Sequence, residues 1–275
     1  ANPPDGPGGL RIVDIINPAN PVQMGVYEAG ISDVYGLTVA GSYAYLTDFD
    51  YGLRIINISN PSSPTATGSC STPEGWAGDV VVAGSYAFIS AWDIGLVIMN
   101  ISNPASPSQI YWYDTPTDVY DLDLAGNYAF LADFEDGVYS IDVSNPANPV
   151  KADQYWESET VAYALTISNT LAYVAFGLDG LRILNIADPH NLAKIGSLSM
   201  TGSDKILDVA SWGNYAYLAA GTTGLHIVNI SNPAAPVKVG TFNTPGYSSG
   251  VTVLCRYAYV SDQASGLRII DVNNP

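Results

Sequence analysis

The ten residues 52–61, GLRIINISNP, decide how this chain folds, because near-copies of them return at Gly9 (GLRIVDIINP), Gly95 (GLVIMNISNP), Gly137 (GVYSIDVSNP), Gly180 (GLRILNIADP), Gly224 (GLHIVNISNP) and Gly266 (GLRIIDVNNP). The copies are spaced by 42 to 44 residues, a period that marks a repeat architecture. Outward from the phrase, the second period reads as four short strands: a, GLTVAG near 36–41; b, YAYLTD at 43–48; c, LRIINI at 53–58; and d, TATGSC at 65–70. The runs are rich in Val, Ile, Leu and Tyr and are punctuated by Gly, Asn and Pro, with no helical periodicity.

Strand c is apolar on both faces, with Leu53 and Ile55 on one and Ile56 and Ile58 on the other. Such a strand belongs to a sheet packed on both sides, as a propeller blade is between its neighbours. The stretches AGSY at 40 and 83, AGNY at 125 and WGNY at 212 put glycine where a tight a–b hairpin needs positive φ. SNPxxP stiffens the c–d connection. Each c strand carries one Asp or Asn (Asp14, Asn57, Asn100, Asp142, Asn185, Asn229, Asp271), expected to be a structural hydrogen-bonding group.

The pattern GLRIxDISNPxxPVxxG…AGxYAYLAD resembles the LVIVD repeat over nearly the whole chain. The resemblance implies a β-propeller of a bacterial or archaeal surface or secreted protein, and it brings no shared catalytic residues. The expected fold is all-β: a six-bladed β-propeller of four-stranded antiparallel blades forming a single domain over residues 1–275, closed by N- and C-terminal strands that share a blade. The chain starts on strands c and d at 10–28 and ends on a, b and c at 250–272, so one c strand is surplus.

An apolar content of 47% is ample for a packed core. No apolar run reaches the ~18 residues of a transmembrane helix, so no membrane span is expected. The opening ANPPDGPGG lacks the basic and apolar regions of a secretion signal, so any such signal is expected to have been removed. A net charge of −17, from nine basic against 26 acidic residues, excludes a surface that tracks phosphates, and nucleic acid is not an expected partner.

Alternating strand directions put the d–a and b–c connections at one end of each blade (the top) and the a–b and c–d turns at the other. Top loops vary between copies, as binding loops on a fixed scaffold do. All acids except Asp14, Asp123, Asp142, Asp188 and Asp271 are expected near the top, beside Phe49, Tyr51, Trp76, Trp92, Trp112, Phe134 and Trp156; Lys151, Lys194, Lys238 and Arg256 are expected near the bottom. One reading is solvated loops whose aromatics cover the blade ends. Others are calcium held by Asp48 with Asp50, or by Asp133 with Glu135 and Asp136, and a glycan or partner protein held by the aromatics.

Opposed face charges point to head-to-tail assembly of copies. Cys70 is expected at the top and Cys255 at the bottom, too far apart for an internal disulfide but placed for one between stacked copies, and the surplus strand suits a neighbour's sheet. GYSSG at 246–250 matches a hydrolase string that works only on a strand-to-helix elbow. His190 and His226 lack a nucleophile partner, and the sequons at Asn57, Asn100 and Asn229 fall on the structural c-strand position. The expectation is a non-enzymatic extracellular or cell-surface protein that assembles with itself into a filament or array, with no cofactor other than calcium. Its rival is a monomeric module recognising a glycan, calcium or another surface protein; a glycoside hydrolase using paired carboxylates stands third.

Overall fold

The computed structural model describes residues 8–31, 33–73, 76–200 and 205–274, which are all-β with no α-helix. Strands β1 (Leu10–Asp14) and β2 (Val22–Tyr27) form a two-stranded ladder. Five four-stranded antiparallel meanders follow. They are β3 (Val34–Ala40), β4 (Tyr43–Asp48), β5 (Gly52–Asn57) and β6 (Thr65–Cys70); β7 (Ala77–Ala83), β8 (Tyr86–Ala91), β9 (Gly95–Asn100) and β10 (Ser108–Tyr113); β11 (Val119–Ala125), β12 (Tyr128–Asp133), β13 (Gly137–Asp142) and β14 (Val150–Tyr155); β15 (Ala164–Ser168), β16 (Leu171–Ala175), β17 (Leu181–Asn185) and β18 (Ala193–Leu198); and β19 (Asp208–Trp212), β20 (Tyr215–Ala219), β21 (Leu225–Asn229) and β22 (Val237–Phe242). A three-stranded ladder of β23 (Gly250–Leu254), β24 (Tyr257–Ser261) and β25 (Leu267–Asp271) ends the order.

In the second period strands b and d fall where the sequence placed them, while a begins two residues and c one residue earlier. The strands of the sixth set are divided between the chain ends, with c and d in β1–β2 and a, b and c in β23–β25. Both copies of c are paired, β1 to β2 and β25 to β24. Each end thus keeps its own ladder, and the surplus c strand is a regular strand at both. The residues group into two compact units, one of 1–122 with 145–148 and the other of 123–144 with 149–275.

Apolar packing on both faces of inner c strands holds successive meanders together. In the first unit Leu53 and Ile55 of β5 pack with Ala77, Val80, Ile89 and Val97, while Ile56 on the opposite face joins Leu10, Ala44 and Leu46. In the second, Leu181 and Ile183 of β17 pack with Ile206, Val209 and Leu218, and Leu184 turns to Phe130, Leu165 and Val174. Each fully buried Leu or Ile contributes about 1.5–3 kcal/mol, so the doubly apolar c strand is the main adhesive between blades.

The rest of the phrase is turn chemistry. All seven c-strand Asp and Asn residues accept a hydrogen bond from the backbone N–H two residues on, at 2.9–3.0 Å. They sit at the partly exposed end of the strand and not within its buried stretch, so their role is to open the turn. A second such bond follows at Asn17, Asn60, Asn103, Asn145, Asp188 and Asn232.

Two glycine positions answer to close approach. The phrase glycines Gly95, Gly137, Gly180 and Gly224 have φ of +81° to +85°, and a Cβ there would overlap the carbonyl oxygen of Tyr113, Tyr155, Leu198 or Phe242 on strand d. On strand d itself, a Cβ at Gly25, Gly68 or Gly196 would overlap the carbonyl of Pro61, Pro104 or Pro233. The proline turn of each following meander is therefore pressed onto the d strand before it, at a β-bulge.

In the a–b turns, Gly41, Gly84, Gly126 and Gly213 have φ of +58° to +60°, and Cys255 takes the same place with φ +57°. A side chain costs about 1–2 kcal/mol in this region, of which glycine's greater freedom in the unfolded chain returns about 0.4–1 kcal/mol. Cys255→Gly is expected to raise stability by about 0.5–1 kcal/mol in urea titrations at unchanged slope. A loss would show that the Cys255 side chain makes a contact outweighing its backbone strain.

Candidate functional site

In the first unit, five aromatic rings from three successive meanders meet at the b–c and d–a end of the strands. Phe49 lies 5.2 Å from Tyr35, 5.3 Å from Trp92 and 5.8 Å from Trp76, on which it stacks at 11°. Trp92 stands edge-on to Tyr35 at 5.5 Å and stacks on Tyr120 at 4.9 Å. Each such pair is worth about 0.5–1.5 kcal/mol beyond its area, so the cluster is a rigid body.

Backbone bonds between the loops set it in place. The Phe49 amide donates to the Asp33 carbonyl at 2.8 Å and the Trp92 amide to the Trp76 carbonyl at 3.1 Å. Beneath them, the buried Thr47 hydroxyl accepts from the Gly36 amide at 2.7 Å and donates to the Gly78 carbonyl. Ser90 repeats this one meander on, accepting from the Asp79 amide at 2.6 Å and donating to the Tyr120 carbonyl at 3.1 Å.

Tyr35 is 55% and Trp76 43% exposed, so the cluster presents ring surface to solvent. Asp33, Asp50 and Asp93 are exposed around it. Burial, and then the Asp33 charge, raise the Tyr35 phenol above its usual pKa. Pro73, Trp76, Asp93 and Ile94 line a recess of about 140 Å³, too small for a drug-sized ligand. The surface suits contact with a partner's side chains.

Other sequence-predicted aromatics lie apart from this cluster. Tyr51 carries the Arg54 guanidinium over its ring at 5.1 Å. In the second unit Phe134 meets Tyr163 edge-on at 5.4 Å, and Trp156, 56% exposed, donates its indole N–H to the Glu135 carbonyl at 3.2 Å. Of the calcium candidates, Asp48 and Asp133 are fully buried at strand ends, Asp50 is exposed, and Asp136 accepts from the Tyr139 hydroxyl at 3.1 Å. Among the described residues no three His, Cys, Asp or Glu side chains gather at metal-binding spacing. Asp5, Glu74 and Asp204 of the expected acidic set lie outside the described residues.

The bottom cations are engaged on their own sheets or nearby loops. Lys151 donates to Gln154 at 2.7 Å and lies over the Tyr139 ring. Lys194 pairs with Glu157, Lys238 approaches His226 Nδ1 at 3.4 Å, and Arg256 pairs with Asp271. Glu157 also takes the buried Arg182 at 2.9 Å and the Tyr155 hydroxyl. Burial pushes its pKa up, but the hydrogen bonds from Lys194, Tyr155 and Arg182 outweigh that and hold it at about 2.

The family model described as "LVIVD repeat" matches seven times, at residues 4–29, 32–72, 74–115, 116–156, 162–199, 205–244 and 245–275. The chain belongs to the LVIVD-repeat family. No curated protein matches the sequence. Among solved structures, the crystal structure of the computationally designed Ika8 protein (crystal packing No. 1 in P63) is similar, with a TM-score of 0.69 at 9% identity over 91% of this chain and 74% of that one. At that identity the likeness concerns the fold alone. The chain is thus an all-β β-propeller built of LVIVD repeats, and no helix among the described residues is long and apolar enough to cross a membrane.

Tyr35 and Tyr120 were absent from the sequence-predicted set; both stand on a strands, Tyr35 one residue ahead of where strand a was expected to begin, and aligned copies place both, with Tyr163, at one register. GYSSG lies in a loop, where the Ser248 hydroxyl is buried within 2.8 Å of Thr244 Oγ1 and 3.4 Å of Asp262 Oδ1, a structural cluster and not an elbow. Cys70 is half-buried against the Ser71 carbonyl, while Cys255 is exposed; both are free.

Proposed function

We propose that this LVIVD-repeat protein is a non-catalytic recognition module, extracellular or surface-attached, which binds a partner protein through the Tyr35–Phe49–Trp76–Trp92–Tyr120 cluster. The observation that carries the reading is a rigid aromatic surface, partly open to solvent and rimmed by acids. Aromatic anchors of this kind supply most of the energy of protein interfaces, and the acidic rim, on a chain of net charge −17, favours a partner presenting basic groups. The test is a peptide and surface-protein array probed with wild type, Trp76→Ala and, as control, Trp156→Ala. A partner is expected whose affinity falls tenfold or more with Trp76→Ala only. Partners that bind both variants as well as wild type would sink the reading.

Head-to-tail assembly into a filament is a second reading, favoured by the two free thiols, one of them exposed on a turn. The ion pairs of Lys194 with Glu157 and of Arg256 with Asp271 leave less positive surface for it than the sequence promised. Electron microscopy with and without reductant decides it: fibres lost on reduction support assembly, and single particles under both conditions remove it.

A further inference from the structure

Strand β10 departs from most of the other d strands at one register and from β14, β18 and β22 in charge. At the bulge register occupied by Gly25, Gly68 and Gly196 it carries Tyr111, and along Ser108–Tyr113 it has no charged residue where β14, β18 and β22 have Lys151, Lys194 and Lys238. At Gly25, Gly68 and Gly196 a Cβ would overlap the following proline carbonyl, whereas Tyr111 carries a full side chain at that register. Asp153 fills the same register on β14 and turns the departure into a link, its Oδ2 accepting from the Leu192 amide at 2.6 Å. Along β10 lies a groove of about 500 Å³, lined by Gln109, Ile110, Tyr111, Trp112, Tyr113 and Asp114.

That volume falls inside the ~300–1,000 Å³ range of small-molecule sites, unlike the recesses of about 140 Å³ beside Trp76 and Arg54. Tyr111 is 37% and Trp112 50% exposed, so ring surface is available in the groove. Burial, and then the neighbouring Tyr111, raise the Tyr113 phenol above its usual pKa. Gln109 and Asp114 stand at the two ends of the lining stretch, one offering amide donors and an acceptor, the other a carboxylate.

We infer that the β10 groove binds a saccharide that is neutral or amine-bearing. A pyranose has an apolar C–H face that stacks on an indole or phenol ring and a rim of hydroxyls that bond to amide and carboxylate groups. The acidic protein, with Asp114 in the lining, repels uronate and sulfate sugars. An added peptide strand is disfavoured because the register shift between Gln109 and Tyr111 breaks the regular edge such pairing needs. The inference is independent of the aromatic cluster proposed above as a protein-binding surface.

The experiment is a tryptophan-fluorescence titration of the full chain with cellohexaose, mannohexaose, chitohexaose and the deacetylated chitosan hexamer, with hyaluronan and heparin fragments as anionic controls. At least one of the first four is expected to bind, and neither anionic fragment. Trp112→Ala should weaken binding tenfold or more. Tyr111→Gly, which restores the residue that d strands carry at this register, should do the same without lowering Tm, and Trp76→Ala and Trp156→Ala should leave affinity unchanged. Absence of binding by all four hexamers, equal binding of heparin, or unchanged affinity in both β10 variants overturns the inference. Loss in Trp76→Ala alone also overturns it, and moves saccharide recognition to the aromatic cluster.

Discussion

Gly180→Ala is expected to destabilise the protein by about 3 kcal/mol or more, whereas Gly266→Ala, the same change in the last copy of the phrase, should cost about 1 kcal/mol. Both glycines have positive φ, +85° and +72°, and Gly266 with ψ −149° lies in a region that side chains scarcely enter, so both variants bear a backbone penalty of about 1–3 kcal/mol. They differ in what the new Cβ meets. At Gly180 it overlaps the Leu198 carbonyl and comes within 3.0 Å of the Met200 amide nitrogen, whereas at Gly266 nothing lies within 4 Å. Relieving an overlap with backbone means moving β18 away from β17, and overpacking of this sort costs a further 1–3 kcal/mol, roughly. Urea denaturation followed by circular dichroism reads both losses. Equal losses would mean that φ alone, and not contact with strand d, explains the glycine that opens each phrase.

The sequence told most where one residue type recurs at one register. The c strands were legible because Leu53, Ile55 and Ile56 point to opposite faces and both faces are apolar, which leaves a strand nowhere to go but between two layers. The seven Asx turns were legible as a periodic polar position, although their place at the strand end was not. What stayed hidden were relations between copies. Gly68 and Pro104 stand in different repeats, and nothing in either repeat alone says that the carbonyl of one rests on the Cα of the other. The cluster was half legible: Phe49, Trp76 and Trp92 stood out in or beside variable loops, but Tyr35 and Tyr120 did not. Register fixes a Cα and not the reach of a long side chain. Lys194 therefore read as a bottom cation, although its ammonium extends along the blade to Glu157.

That same Glu157 should give the second large effect, a loss of about 2–3 kcal/mol in Glu157→Gln at neutral pH. Its carboxylate, 20% exposed, holds Arg182, whose side chain is only 10% exposed, and Lys194, which is 40% exposed. Lys194 can turn to water when the charge is removed. Arg182 cannot do so as readily: it keeps the Asp179 carbonyl at 2.6 Å and the Phe176 ring at 5.6 Å, but no carboxylate. The pH dependence separates this charge effect from lost packing. With a pKa of about 2 in the folded chain against 4.5 for an ordinary Glu, the unfolded chain takes up the proton first as pH falls. The stabilisation is thus full above about 4.5, declines between there and about 2, and is gone below. Burial raises Asp123 and Asp208, which keep backbone amide bonds; stability from these groups is present at low pH and lost as pH rises. They titrate alike in wild type and Glu157→Gln, so their contribution cancels in the difference between the two proteins. That difference should therefore shrink steadily from pH 4.5 to 2 in urea titrations. A difference that stayed constant over the same range would assign the loss to the shape of the side chain and not to its charge.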